Sequence, residues 1–294
     1  MTDVPRLLQV VAECETPGLL ATIVHVEGSA YRKAGAVMVF FADGTTCGVL
    51  SAGCLEQDVA ERVASVWSRG VAQTVVFDLR AEDDLSWGQG PGCNGQVTVL
   101  LEPLDGRLRA ELEFVREKLE RGEEVEVCKR YDGGEFVQRY EPRPRLVLLG
   151  AGPDARPVAT MATQAGFSVT VADWREGFCK KEWFPKAESL VVDRAELLLS
   201  RVELTARDYV VLMTHHYQHD RLLLRGLLAH DLRYLGVLGP RRRTARLLGG
   251  QEVEVPEIVH SPVGLAIGAE GPEEIAVSIV AELVQARRCR GARS

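Results

Sequence analysis

The chain has 294 residues, 46% hydrophobic and 26% charged, which supplies a sizeable core and suits two domains better than one. A net charge of −7 argues against a general nucleic-acid binder, whose surface would be basic. Seven scattered cysteines without a Cys-x-x-Cys pair argue against a disulfide framework, and apolar runs of only strand length argue against a membrane span. With Asp3, Pro5 and Arg6 interrupting any N-terminal signal pattern, the expected setting is a reducing cytoplasm.

In chain order, residues 6–15 read as a short helix closed by Pro17-Gly18. LLATIVHVEG (19–28) alternates as a strand does, and GAVMVFFADGTTCGVL (35–50) reads as two strands about Ala42-Asp43-Gly44. A small-residue turn, SAGC (51–54), feeds a helix over 55–67, with Leu55, Val59, Val63 and Val66 at helical spacing. A strand over 72–79 leads into the polar, glycine-rich loop 80–95, which holds Cys93. Then come a strand over 96–104, a helix over 107–121 and a hairpin about Asp132-Gly133-Gly134. The first half, residues 1–140, is therefore predicted to be an α+β domain.

EPRPR (141–145) reads as a linker. Beyond it the rhythm changes, and residues 145–294 are predicted to form a Rossmann-like α/β domain with a C-terminal helix. LVLLG (146–150), VTVAD (169–173), ESLVV (188–192), YVVLMT (209–214) and YLGVLG (234–239) are apolar runs without alternation. Helical patterns separate most of them, as parallel strands buried on both faces require. PEEIAVSIVAELVQARR (272–288) closes the chain as a helix with acids in its first turn and arginines in its last.

Strand LVLLG runs straight into GAGPDA, with Gly150, Gly152 and Ala155 at G-x-G-x-x-A spacing. The first glycine makes the tight turn, the second admits a phosphate, and the helix N-terminus offers free N–H groups. Asp173 ends the next strand, where an acid grips ribose hydroxyls. This points to NAD or another nucleotide, although Arg175 two residues later blurs the choice.

Gly53-Cys54-Leu55-Glu56 places a thiol at a helix start, where thiolate is favoured as nucleophile and soft-metal ligand, and the same turn is a candidate anion cradle. Cys93 lies in GQGPGCNGQ, whose glycines open backbone amides to a ligand. Arg32 and Lys33, in GSAYRKAG (28–35), either meet a phosphate or carboxylate or are simply solvated. HHYQHD (215–220) offers His215 and His219 at i,i+4 at the carboxyl end of a strand, as a metal pair, a substrate contact or a helix cap. Of Arg241, Arg242 and Arg243, one is expected to meet a phosphate.

Together these segments resemble the XdhC/CoxI family, accessory proteins of molybdenum hydroxylases such as xanthine dehydrogenase and carbon monoxide dehydrogenase. The stretches that carry it are GSAYRKAGAVMV (28–39), GVLSAGCLEQDV (48–59), GPGCNGQVTVLLEPL (90–104), LLGAGPDARP (148–157), VADWRE (171–176), VLMTHHYQHD (211–220), YLGVLGPRRRTARLL (234–248) and HSPVGLAIGAEGPEEIAVSIVAELV (260–284). The resemblance implies a cytoplasmic homodimer that binds molybdenum cofactor (molybdopterin) and supports its sulfuration and insertion. Its partners would be an apo molybdenum hydroxylase and a cysteine desulfurase, and it would be a chaperone rather than an enzyme. Carried onto this chain, Cys54 is the candidate molybdenum contact, with Gly53, Glu56, Cys93 and Arg32 around it. Gly150, Gly152, Asp173, His215 and Arg241 are the candidate contacts in the second half. The family's turn before the cysteine is often three glycines, whereas here it is Ser51-Ala52-Gly53, a slight crowding of any backbone approach, and Asn94 stands where glycine is common. The rival function is an NAD-dependent oxidoreductase using Asp173 for the ribose and His215 or His216 as proton donor, though no tyrosine–lysine pair accompanies the turn.

Overall fold

The structure, a computed structural model, describes residues 4–80, 95–250 and 253–288, so Cys93 and its loop lie outside the described residues. The chain divides into two compact units, Met1–Pro142 and Arg143–Ser294.

In the first unit, α1 (Val4–Glu13) precedes β1 (Gly18–Gly28), β2 (Val37–Phe41) and β3 (Thr46–Gly48). The helices α2 (Glu56–Glu61) and α3 (Val63–Arg69) follow, then β4 (Gln73–Asp78), β5 (Gly95–Pro103), α4 (Gly106–Glu120) and a separate hairpin of β6 (Val125–Tyr131) and β7 (Gly134–Tyr140). The antiparallel sheet has the order β3-β2-β1-β5-β4. It is covered on both faces, so β1 is buried along its first seven residues rather than alternating. Val59, Val63 and Val66 of α2 and α3 pack with Leu19, Ala21 and Ile23, while α1 and α4 pack on the face of Leu20, Val37 and Val39. The single helix predicted over 55–67 is broken at Arg62, where the turn between two short helices lets both follow the sheet.

Register decides what lies at each end of this sheet. Gly28, the end of β1, pairs with Gly95, the start of β5, and Asp78 near the end of β4 pairs with Gln96. Val37 begins β2 and Gly48 ends β3 opposite Met38. The segments 29–36 and 49–55, the end of β4 and the start of β5 therefore all lie at one end of the sheet. Gly95 tolerates no side chain there, since a Cβ would lie 2.4 Å from the carbonyl oxygen of Glu27.

In the second unit, β8 (Arg145–Leu149), α5 (Ala155–Gln164), β9 (Ser168–Asp173), β10 (Ser189–Val192), α6 (Leu198–Val202), β11 (Tyr209–Leu212), α7 (Tyr217–Leu227), β12 (Tyr234–Val237), α8 (Arg241–Leu248), β13 (Val259–His260) and α9 (Gly271–Arg288) follow one another. All six strands are parallel, in the order β10-β9-β8-β11-β12-β13, which is the Rossmann arrangement with a switch point between β8 and β11. Leu146, Leu148, Val169 and Val171 meet α5 and α9 on one face. Val147, Leu149, Val210 and Leu212 meet α6, α7 and α8 on the other. That two-sided burial is why the strands read as continuous apolar runs.

Glu282 of α9 ties the last helix to the sheet edge. It accepts hydrogen bonds from Tyr234 Oη (2.6 Å) and the Gly264 N–H (2.6 Å) and faces His260 Nδ1 at 2.7 Å. Burial pushes its carboxyl up, but the bonds from His260, Tyr234 and Gly264 outweigh that and hold it below the ordinary carboxylate range. Glu282→Ala is expected to lower stability by about 2–4 kcal/mol at neutral pH, because it orphans partly buried donors. A depressed folded pKa means the contribution is present above the ordinary value near ~4.3 and is lost as pH falls through the folded value. Denaturant unfolding at neutral pH and again below about pH 4 should therefore show the gap between wild type and variant shrinking in acid. An unchanged gap would refute this account of Glu282.

Candidate functional site

At the segment-bearing end of the first sheet, the turn 50–56 is held by its own side chains. One Glu56 oxygen accepts from the Leu50 N–H (3.2 Å) and the Ser51 N–H (2.7 Å), and the other from the Leu55 N–H (3.2 Å) and the Ser51 hydroxyl. Ser51 Oγ in turn accepts from the N–H groups of Gly53 and Leu55, both at 3.1 Å. Burial pushes the Glu56 carboxyl up, yet the hydrogen bonds from Ser51, Glu56 and Leu50 bring it below the usual range.

Glu56 is thus held by the backbone of its own turn, and the N–H groups of Ser51, Gly53 and Leu55 already have acceptors within it. What the turn does present is Cys54, exposed between Gly53 and Leu55. Gly53 has φ +109°, a conformation that favours glycine, and among the described residues none beyond its chain neighbours comes within 4 Å of where its Cβ would be. Arg32 is partly buried in the neighbouring segment 29–36. Ser51, read from the sequence as mild crowding, is the turn's anchor. Its signal was the Ser-x-x-x-x-Glu spacing, which has no meaning until the loop folds back.

Of the other described cysteines, Cys47 and Cys179 are buried, and burial pushes the Cys179 thiol up to about 11. Among the described residues no group of three or more His, Cys, Asp or Glu side chains is placed to hold a metal ion.

In the second unit the glycine turn sits at the switch point. Gly150 has φ +121°, and a Cβ there would lie 2.5 Å from the carbonyl oxygen of Met213, so the glycine is required by the end of β11. Asp173 is fully buried: one oxygen accepts from the Ala151 N–H (2.6 Å) and from Arg175 Nη2 (2.8 Å), the other from the Arg175 N–H (2.8 Å) and Nε (3.0 Å). Burial raises its pKa, but Arg175 and the Ala151 N–H more than offset this and leave it lowered. The expected ribose acid is thus enclosed by the arginine that follows it.

His215 does not form a pair with His219. It stands outside α7 with φ +59°, a strained angle for a non-glycine residue, and its Nε2 lies 2.6 Å from Asp154 Oδ2. His216 caps α7, its ring nitrogen accepting from the His219 N–H. The His216 and His219 rings lie 4.1 Å apart, and Trp174 meets His219 edge-on at 4.1 Å. Burial, then the His216 charge, lowers the His219 pKa.

Of the three arginines it is Arg243 that turns inward. It pairs with buried Asp220 at 2.6 Å, and Asp220 also accepts from Thr214. Arg241 is exposed and donates to the carbonyl of Val255 (3.5 Å). Asp154 and Trp174 escaped the sequence reading, and the pairing of Arg243 with Asp220 did too, because each acts through a partner distant in sequence.

An antiparallel α+β unit that presents one cysteine on a pinned turn, followed by a parallel sheet in Rossmann order, defines a two-unit protein whose second half belongs to the nucleotide-fold class. The profile of the XdhC and CoxI family matches residues 12–78 and that of the XdhC Rossmann domain matches residues 146–283. A Bacillus subtilis (strain 168) protein named as a probable xanthine dehydrogenase subunit is 41% identical across 98% of both chains. The chain belongs to the XdhC and CoxI family.

A solved structure described as a xanthine dehydrogenase from Bacillus halodurans is 41% identical, with a TM-score of 0.91 over 99% of this chain and 98% of that one. "Molybdenum cofactor insertion chaperone PaoD" of Escherichia coli (strain K12) is 26% identical over 92% of this chain and 83% of its own.

Ser51→Ala removes a hydroxyl that bonds Glu56 and two backbone amides. It is expected to cost about 1–2 kcal/mol and to change the alkylation rate of Cys54 severalfold, read by peptide mass mapping against time. A wild-type rate with wild-type stability would mean that Ser51 does not pin the turn.

Proposed function

We propose that this chain is an accessory protein of molybdenum hydroxylases that binds molybdenum cofactor at the Cys54 end of its first unit, supports the cofactor's sulfuration and hands it to the apo-hydroxylase. The observation that carries the reading is an exposed thiol on a turn whose Ser51, Gly53 and Leu55 amides are satisfied, at the sheet end shared by segment 29–36 and the ends of β4 and β5. The name of the PaoD relative, a molybdenum cofactor insertion chaperone, supports it.

The residues fit such a group. Molybdenum and its dithiolene sulfurs are soft, and a thiolate is a soft donor. Cys54 is exposed, which leaves the thiol approachable. Cys54 would hold the metal end, with Cys93 second and Arg32 the nearby cation for a phosphate. When bound, the cofactor supplies a molybdenum centre whose terminal oxo ligand is replaced by sulfur. Ser51 and Glu56 keep the Cys54 backbone in one place, so the thiol meets a ligand without first ordering the loop. On this reading the chain has no turnover of its own. It works as a cytoplasmic homodimer, with a cysteine desulfurase as sulfur source and the apo-hydroxylase as recipient.

The test is anaerobic incubation of the purified chain with molybdenum cofactor, desalting, and assay of retained molybdenum by mass spectrometry and of pterin by fluorescence after oxidation. Near-stoichiometric retention by wild type, reduced at least tenfold in Cys54→Ala, is the expected result. Retention that ignores the substitution would move the site away from Cys54. No retention by wild type would overturn the function.

A further inference from the structure

A dinucleotide at the switch point of a parallel sheet makes three demands: room for the pyrophosphate before the helix N-terminus, a free acid for the ribose, and a gap near the strand ends for the base. Each of these places is taken by a side chain of this unit.

The first is occupied by Asp154. Its Oδ1 lies 2.7 Å from the point where a Cβ on Gly152 would be, so the space that the second glycine leaves open is filled by a carboxylate. Its Oδ2 is held by His215 at 2.6 Å. Four amides of the turn are committed too, since Gly150 donates to Ala172, Ala151 to Asp173, Ala155 to Gly152 and Arg156 to Pro153, so only the N–H groups of Gly152 and Asp154 stay beside that carboxylate. A phosphate arriving here meets a like charge where it needs donors.

The second is closed by Arg175, which satisfies both oxygens of Asp173 and is itself stacked over Trp174 (4.6 Å) and Phe178 (4.3 Å). The third is filled by Trp174, which reaches from the end of β9 to the start of α7 and packs against His216 and His219. Strain at His215 agrees with this arrangement. The left-handed backbone that aims its ring at Asp154 is held from below, where the Thr214 hydroxyl accepts from the His216 N–H and donates to Asp220, and Asp220 is paired with Arg243.

We infer that the Rossmann crevice of this chain is self-occupied and closed to dinucleotides, with Asp154 in the pyrophosphate position, Arg175 in place of the ribose hydroxyls and Trp174 in place of the base. The fold family implies a nucleotide that these residues do not fit. The second unit is therefore a Rossmann scaffold that has turned its ligand contacts inward.

The test uses the full chain and does not involve Cys54 or molybdenum cofactor, so its outcome is independent of the chaperone reading. Calorimetric titration with NAD, NADP, FAD and ADP, and fluorescence titration with NADH, should show no saturable binding up to about 1 mM. A dissociation constant below about 0.1 mM for any of them overturns the inference. Asp154→Ser combined with Trp174→Ala empties two of the three places and is expected to bind ADP at least tenfold more tightly than wild type. If that variant fails to fold, the near-isosteric Asp154→Asn takes its place, with the same direction expected. A folded variant that binds ADP no better than wild type overturns the assignment of these residues as the occupants.

Discussion

Backbone N–H groups that a strand or helix leaves unpaired must find an acceptor when water is excluded, and at several turns of this chain a carboxylate supplies it. Glu56 takes three amides of the turn after β3, Asp173 takes those of Ala151 and Arg175, Asp208 that of Thr205, and Glu282 that of Gly264. A charged acceptor makes a stronger bond than a neutral one, and arginine or histidine partners keep several of these carboxylates from being buried alone. Arg175 does this for Asp173, Arg145 for Asp208 and His260 for Glu282.

This use of acids inverts the usual expectation for a functional site. An acid at a strand end or helix start ordinarily marks a ligand contact, and Glu56 and Asp173 are both placed so. Each has instead become part of the frame, its lowered pKa reflecting protein donors. Cys54 is left presented on the first turn, while His215 in the second unit is turned by its strained backbone onto Asp154. The two halves thus treat ligands in opposite ways: the first fixes a turn and exposes a thiol, while the second folds its polar groups onto one another.

Much of the fold was legible from periodicity. The buried runs around Leu148, Val171, Val211 and Leu235 could only be strands covered on both faces, and the register of helical valines at 59, 63 and 66 placed their helices against a sheet. The break at Arg62 was invisible, because the apolar spacing passes through it without a fault. So was β13, two residues long and defined only by its pairing with β12. Cys54 was legible as a thiol in a small-residue turn, whereas Ser51 was not legible as that turn's anchor, since a serine's partners depend on where a glutamate five residues later is carried.

The sequence by itself determined the division into an α+β first half and a Rossmann-like second half, along with the glycine turn and the cysteine turn, because patterns of two and 3.6 residues and the steric needs of glycine are local. Only the tertiary structure decided which polar groups remain available. Asp173 with Ala151, Asp154 with His215, and Asp220 with Arg243 are 22, 61 and 23 residues apart. For these pairs the partner is settled by which strand ends the sheet order brings together, whereas Asp173 meets Arg175 two residues along the chain.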